Sequence, residues 1–259
     1  SNTDDLIEDA NKDTPAYDNP SVKTILRKDG TVVDDVDAPG SFRYVENLVE
    51  PEIPEGASHH AYLLEFDLEP RYPLELTGFV TDRGQRIVTK TPEYMTYAEG
   101  NYISNFWQEF EDAVYSADGY NAATGKYYYD YCDLDSLVNT YVLNEFIKNC
   151  DYYDSSTFFY LAEDADKFYC GPIWDNDVAF GIGFDVDRDA LITKPEYFYC
   201  ADKPFAQALM KIDSFREAVK EKMSVDGEVQ QLKELMTSDG GWIDTYAANT
   251  EASLAMNYK

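Results

Sequence analysis

The chain has 259 residues, of which 50 are acidic and 21 are lysine or arginine, so its formal net charge at pH 7 is −29. A surface this acidic has no basic face to neutralise phosphates, which argues against nucleic-acid binding and against attraction to anionic lipids. It suits a protein that works outside the cell or that handles cations. No apolar run reaches the ~18 residues that a membrane span needs, so no membrane insertion is expected.

The apolar content of 44% predicts a core large enough to need no disulfide or metal for folding. The four cysteines show no C-x-x-C spacing; they are Cys132, Cys150, Cys170 and Cys200. Buried thiols are the simpler expectation, and one or two disulfides remain open. The only histidines, His59 and His60, are adjacent. On an extended segment they point to opposite faces, so a shared metal is not expected.

Residues 1–58 are predicted to form a polar lead-in with short strands, and it ends in a Pro-rich connector over 49–58. The strands lie near the Asp-Gly dipeptide at 29–30, which is typical of hairpin turns. The main domain is predicted over residues 59–259. It opens with a buried strand at 61–67, which is rich in apolar and aromatic residues.

Strands at 79–81 and 86–89 then flank a turn signal and predict a hairpin. The spacing of apolar residues predicts a helix over 97–117 and a second helix that follows the N-cap Asp133. A second hairpin and three amphipathic helices come next: strands 157–161 and 168–174, and helices 203–223, 226–237 and 242–257. These elements predict an α+β fold, in which helices cover a small mixed or antiparallel sheet built from hairpins.

The most informative acidic residues lie between Asn149 and Gly181. A hairpin returns its second strand to the point where the first began, so the loop with Asp151 should lie beside the segment with Asp175 and Asp177. Carboxylates brought together repel one another and raise each other's pKa unless a cation neutralises them. Hard oxygen ligands suit Mg²⁺, Mn²⁺ or Ca²⁺. The order of elements therefore predicts three convergent carboxylates and a divalent cation.

Protein kinases, which catalyse phosphoryl transfer, use this same order of helix, aspartate, hairpin and second aspartate. One aspartate orients the attacking hydroxyl and accepts its proton, and the other binds the metal that bridges the nucleotide phosphates. The alternative interpretation is that these acidic residues are ordinary exposed loop residues of an acidic protein and form no site.

Four runs of sequence are informative beyond their spacing: Leu-Asn-Glu-Phe at 143–146, Lys-Asn-Cys-Asp at 148–151, Ser-Ser-Thr-Phe-Phe-Tyr at 155–160 and Gly-Pro-Ile-Trp-Asp-Asn-Asp-Val-Ala-Phe-Gly at 171–181. They resemble the core of the CotH-kinase family, which are atypical kinases similar to spore coat protein H. Shorter similarities occur at 61–67, 90–93, 102–103 and 254–258. The resemblance therefore covers roughly residues 60–259.

The resemblance implies a divergent protein-kinase-like fold that transfers phosphate from ATP to serine or threonine of a protein, with Mg²⁺ or Mn²⁺. On this resemblance Asp151 is the catalytic aspartate, and Asp175 is a metal ligand with Asp177 beside it. Ser156 lies in the region where kinases have an asparagine as second metal ligand. Lys23, Lys28 and Lys90 are the available candidates for the nucleotide phosphates, and Lys90 is chosen. The start of the chain shows no Gly-rich loop, so the nucleotide lobe is expected to be reduced or missing.

Two classes of function remain open. The first is a secreted bacterial CotH-like protein Ser/Thr kinase, or a degenerate pseudokinase, whose partner is a protein substrate. The second is a non-catalytic interaction or carbohydrate-associated module of a secreted polysaccharide-degrading assembly such as a cellulosome. The second class is kept because some proteins of the family it resembles occur in such assemblies.

Residues 185–196 have the acidic spacing of an EF-hand loop, which makes Ca²⁺ a further candidate ligand. Ala190 occupies the position where that loop needs glycine for its sharp turn. An ordinary acidic surface loop is therefore the preferred interpretation.

Overall fold

The computed structural model describes residues 23–27, 30–181, 194 and 197–257. The predicted α+β fold is confirmed: helices cover an antiparallel sheet with strand order β1-β2-β4-β5-β3-β8-β9. Its strands are β1 (Lys23–Arg27), β2 (Ser41–Val45), β3 (Tyr62–Phe66), β4 (Gly78–Val80), β5 (Arg86–Thr91), β8 (Phe158–Leu161) and β9 (Tyr169–Cys170). A separate ribbon pairs β6 (Tyr120–Asn121) with β7 (Lys126–Tyr127).

The helices of the described residues are α1 (Tyr97–Val114), α2 (Tyr128–Tyr131), α3 (Leu134–Ile147), α4 (Pro204–Lys211), α5 (Asp213–Lys222), α6 (Glu228–Thr237) and α7 (Trp242–Asn257). A capping box starts α1, because the Thr96 hydroxyl accepts from the N–H of Glu99 and the Glu99 carboxylate accepts from the N–H of Thr96. The predicted N-cap Asp133 is confirmed, since its side chain accepts from the N–H of Ser136 at 2.8 Å.

An aromatic cluster around Trp107 joins α1 to the sheet. The Trp107 ring is fully buried and lies edge-on to Phe66 of β3 and Phe159 of β8, with ring centroids 5.6 and 4.9 Å apart. Phe205 of α4 stacks against the same indole at 6.3 Å. Large buried rings in this geometry contribute strongly to the core. The cluster therefore fixes β3 and β8, the two strands whose ends carry the candidate site.

The predicted single helix over 203–223 is wrong, because the chain divides at Ile212 into α4 and α5. Ile212 has an extended backbone, with φ −77° and ψ 121°, and its side chain is buried. The Arg216 guanidinium donates to the carbonyl of Met210 at 3.1 Å and so satisfies an acceptor that the end of α4 leaves open. Burial of Ile212 and the Arg216 cap favour the break between the two helices. The spacing of apolar residues, on which the prediction was based, reflects neither of them.

The second predicted hairpin is confirmed between β8 and β9, with Phe159 opposite Cys170. Its second strand is shorter than the predicted 168–174. Pro172 has no N–H to donate to a strand partner, and Trp174 is 65% exposed. The chain therefore leaves the sheet before it reaches the Asp175 segment.

Strands β1 and β2 come from the predicted lead-in and hydrogen-bond into the same sheet as the rest. Phe42 of β2 lies opposite Phe79 of β4, and both rings are buried. The domain boundary after residue 58 stays a prediction.

All four cysteines are buried thiols and no disulfide joins them, in agreement with the simpler expectation. Among the described residues, no helix combines the length and the apolar content that a membrane span requires. The stretch at 185–196, for which an acidic surface loop is preferred over a calcium loop, lies outside the described residues, apart from Lys194.

Candidate active site

The loop after α3 and the segment after β9 lie side by side. The N–H of Cys150 donates to the carbonyl of Val178 at 3.2 Å, and the N–H of Phe180 donates to the carbonyl of Ile147 at 2.6 Å. The predicted meeting of the two acidic segments at one end of the hairpin is confirmed.

Asn149 links the two segments with a side chain whose hydrogen-bonding groups are all used. Its buried Nδ2 donates to Asn144 Oδ1 at 2.9 Å and to Asn176 Oδ1 at 2.8 Å. Its Oδ1 accepts from the backbone N–H of Asp151 at 3.0 Å. A side-chain amide has only two donor hydrogens, so neither is left over. Asn149 therefore fixes Asp151 relative to Asn176, which directly follows Asp175.

Asp151 and Asp175 act on each other through their charges. Burial and then the charge of Asp175 raise the pKa of Asp151 above its ordinary value, while Arg71 and Lys203 act in the opposite direction. Asp151 is half-buried and Asp175 is exposed. Two carboxylates that repel each other at the surface favour the binding of a cation.

Asp177 is exposed, and within the described ranges no three His, Cys, Asp or Glu side chains are close enough to hold a metal ion. Three carboxylates were expected to converge, but only Asp151 and Asp175 interact. A pair still fits Mg²⁺, which usually keeps several waters and binds one or two carboxylates together with substrate phosphates. This donor set fits a divalent ion that arrives with a nucleotide.

Strained backbone is concentrated in these two segments. Five of their non-glycine residues have φ between 52° and 63°: Lys148, Tyr153, Ser156, Asp175 and Phe180. Elsewhere in the described chain, only Asn47 among the non-glycine residues has a positive φ. Such conformations cost about 1 kcal/mol or more each and cluster at functional sites. The positive-φ residues are a second reason, besides the charges, to choose this junction as the candidate site.

Ser156 faces the cleft that Trp174 and Asn176 also line. Its loop is closed by its own hydrogen bonds, because the carbonyl of Asp151 accepts from the N–H groups of Asp154 and Ser155 at 2.8 and 2.9 Å. The Ser156 hydroxyl is therefore held beside the Asp175 segment, and its role as a ligand stays a prediction.

Lys90 lies on β5 between two carboxylates. Its Nζ is 3.1 Å from Glu65 Oε2 and 3.0 Å from Glu75 Oε1. Burial lowers the pKa of Lys90, but these two partners more than offset it, so the pKa lies above its ordinary value. Thr89 and Thr91, on either side of Lys90, pair with Leu64 and Leu63, so Lys90 lies nearer the start of β3 than the end that meets the Asp151 loop. Its role towards phosphates stays a prediction.

Two cations beside Asp151 are not predicted from the sequence. Buried Lys203 donates to the carbonyl of Cys150 at 3.2 Å and pairs with Asp154, which anchors the loop. Arg71, in the segment after β3, forms an ion pair with Asp67 at 3.0 Å. Both cations come from segments far from residue 151, and the four-residue spacing of Asp67 and Arg71 is too common to predict a site.

A comparison with protein families matches residues 43–228 to the family model described as CotH kinase protein. The matched range contains both acidic segments and the strands that lead into them. A comparison with curated proteins found no match.

Proposed function

This chain belongs to the CotH kinase protein family, and on that premise we propose that it is a protein kinase that transfers the terminal phosphoryl group of ATP to serine or threonine. The proposal rests on one observation above all. Asp151 and Asp175 come from separate segments and interact through their charges, and Asn149 hydrogen-bonds to the backbone of Asp151 and to Asn176, the neighbour of Asp175. Kinase chemistry needs two such aspartates, one for the attacking hydroxyl and one for the metal.

Asp151 is the proposed proton acceptor. The substrate hydroxyl oxygen bonds to the γ-phosphorus, the bond from that phosphorus to the bridging oxygen breaks, and ADP leaves with the electron pair. Asp151 takes the hydroxyl proton. Burial and Asp175 raise the pKa of Asp151, which makes its carboxylate a stronger proton acceptor. Asn149 holds the backbone of Asp151 in position by accepting from its N–H.

Asp175 is the proposed metal ligand, with Asp177 beside it. Bound Mg²⁺ or Mn²⁺ supplies positive charge that offsets the charge on the transferred phosphate. Ser156 offers a hydroxyl oxygen on the same cleft as Asn176. Lys90 on β5, whose ammonium contacts Glu65 and Glu75, is the proposed lysine for the nucleotide phosphates. Local cations are needed because a net charge of −29 repels ATP.

We place this activity outside a bacterial cell, on a protein substrate or inside a secreted multi-protein assembly. The strongly acidic surface supports that location because it keeps a protein soluble and dispersed. Ca²⁺ binding by residues 185–196 is the less favoured interpretation of that stretch, because Ala190 replaces the glycine of the loop, and it does not bear on phosphate transfer.

A second candidate function is a carbohydrate-binding module. Tyr160 of β8 and Tyr169 of β9 are both exposed, and their rings stack at 5.3 Å with an interplanar angle of 15°. Exposed aromatic rings of this kind present an apolar surface on which a sugar ring can pack. Melting the protein with polysaccharide fragments tests it, since a bound ligand raises the midpoint. A rise that Tyr160→Ala and Tyr169→Ala abolish supports the module.

The kinase proposal is tested by incubating the protein with γ-labelled ATP, Mn²⁺ and a serine-containing acceptor protein. The proposal predicts label on the acceptor with the native chain and a loss of at least about 100-fold with Asp151→Asn, since a positioned base contributes that much or more. Asp166→Asn, an exposed change on the β8–β9 turn, is the matched control and is expected to keep full activity. Equal transfer by both variants would remove Asp151 from the mechanism.

A further inference from the structure

Arg71 is a cation of the site whose hydrogen-bonding groups are mostly unused. Its side chain is 50% exposed, and its Nε lies 3.0 Å from Asp67 Oδ1. Within the part of the chain that the structure describes, neither Nη nitrogen has a hydrogen bond or an ion pair. The forked end of the guanidinium, which binds carboxylates and phosphates with two parallel bonds, is therefore available.

A buried carboxylate fixes the other end of this guanidinium. The Asp67 side chain is only 3% exposed, and its Oδ1 also accepts from the N–H of Leu68 at 2.8 Å. The N–H of Arg71 donates back to the carbonyl of Leu68 at 3.0 Å. Arg71 is thus held by a compact turn that limits the freedom of its side chain.

The position of this turn places Arg71 at the two acidic segments. Asp67 directly follows β3, and the N–H of Phe66 donates to the carbonyl of Thr157 at 3.0 Å, at the end of the Asp151 loop. The charge of Arg71 accordingly lowers the pKa of Asp151. The turn that holds Arg71 therefore lies at the end of β3 that meets the Asp151 loop, and the charge of Arg71 acts on Asp151.

Lys90 is less suited to bind the transferred phosphate. Its ammonium already contacts Glu65 and Glu75 at 3.1 and 3.0 Å. Glu65 is buried, so moving Lys90 away would leave a carboxylate in the protein interior without its cation. Arg71 has no such conflict, because Nε can stay on Asp67 while the Nη groups bind a ligand.

We propose that Arg71 binds the terminal phosphate of the nucleotide through its Nη groups while its Nε remains on Asp67. This inference rests on the proposed kinase function and assigns it a phosphate-binding residue. Arg71 places positive charge on the non-bridging oxygens of the group that moves, where negative charge must be stabilised during transfer.

The test compares the binding of Mn²⁺–ATP and Mn²⁺–ADP to the native chain, Arg71→Gln and Arg71→Lys by calorimetry. We expect the ATP dissociation constant to rise about tenfold or more in Arg71→Gln, with little change for ADP, because only ATP carries the phosphate that Arg71 contacts. Arg71→Lys keeps the positive charge but not the forked guanidinium. Its ATP dissociation constant is expected to lie between those of the native chain and Arg71→Gln. Lys220→Gln removes an equal charge on exposed α5 and controls for net charge.

The ratio of ATP to ADP affinity separates phosphate binding from a structural role, since a distorted site weakens both nucleotides. Loss of ATP preference in Arg71→Gln supports the inference. An unchanged ratio, or an equal loss for both nucleotides, overturns the assignment of Arg71 and leaves the kinase proposal standing. Absence of nucleotide binding by the native chain overturns the kinase proposal, and the assignment of Arg71 with it.

Discussion

The side-chain amide of Asn149 donates to the side-chain oxygen of Asn176 over 2.8 Å, across the junction of the two acidic segments. The same side chain accepts from the backbone N–H of Asp151. One buried residue thus ties the proposed proton acceptor to the neighbour of the proposed metal ligand. These bonds connect the backbone of Asp151 to the residue that follows Asp175.

Asn149→Leu should impair both stability and phosphate transfer. The change removes the partner of a polar group in buried Asn144 and in half-buried Asn176 and Asp151, so the free energy of unfolding should fall by about 1–3 kcal/mol. Transfer should fall about tenfold or more, because the two aspartates lose their common anchor. Val219→Ala on α5 gives a comparable loss of stability away from the site. Equal activity in the two variants, measured at a temperature where both are folded, would contradict this positioning role.

Asp151→Asn should leave the folded state as stable as the native chain, or more so. Burial and Asp175 raise the pKa of Asp151 in the folded state, so the folded state favours the protonated form. The ionised group is therefore destabilising, and this effect grows as pH rises through the window from the ordinary pKa to the raised one. In thermal melts from about pH 4 to pH 8, the midpoint of the variant should rise relative to that of the native chain as the pH increases. A lower midpoint for Asp151→Asn at pH 7 would argue that its charge stabilises the fold.

Trp107→Ala should destabilise the whole domain, because the indole connects α1 with the sheet. Its ring is fully buried and contacts Phe66, Phe159 and Phe205. Truncating a buried aromatic of this size costs about 3–5 kcal/mol. Urea denaturation measures the change, and a loss below about 1 kcal/mol would show that the cluster does not hold the sheet.

His60→Gln should reduce the loss of stability on acidification. Burial lowers the pKa of His60, and His59 acts in the same direction, while Glu50, Glu163 and the backbone of Pro51 oppose it. A lowered folded pKa means that His60 supports the folded state above its unfolded pKa, and that this support is lost as pH falls through the folded pKa. The difference in unfolding free energy between the native chain and His60→Gln should therefore shrink or reverse between about pH 7 and pH 5. A difference that is constant with pH would contradict the prediction.

Local signals were enough to predict the acidic junction. The N-cap Asp133, the apolar spacing of α3 and the β8–β9 hairpin lie within one stretch of chain, and each has a short-range cause. A hairpin also fixes where its ends meet, so the neighbourhood of Asp151 and Asp175 followed from chain order alone.

The long-range contacts of the site could not be predicted from the sequence. Arg71 and Lys203 reach Asp151 from opposite sides of it in the chain, and their positions depend on how β3 and α4 pack against the same core. The break at Ile212 depends on a buried side chain and on the Arg216 cap, neither of which changes the apolar period. These features depend on contacts between residues that are far apart in the chain. The local pattern of apolar and polar residues therefore does not predict them.

The most direct test of the central claim is the affinity of Mn²⁺ in the presence of ATP, measured by electron paramagnetic resonance. The native chain should bind the metal–nucleotide complex, and Asp175→Asn should weaken binding about tenfold or more, because the variant loses a charged oxygen ligand. Asp166→Asn on the exposed turn is the control and should bind like the native chain. Equal affinity of Asp175→Asn and the native chain would contradict the claim that Asp151 and Asp175 form a metal-dependent site for phosphate transfer.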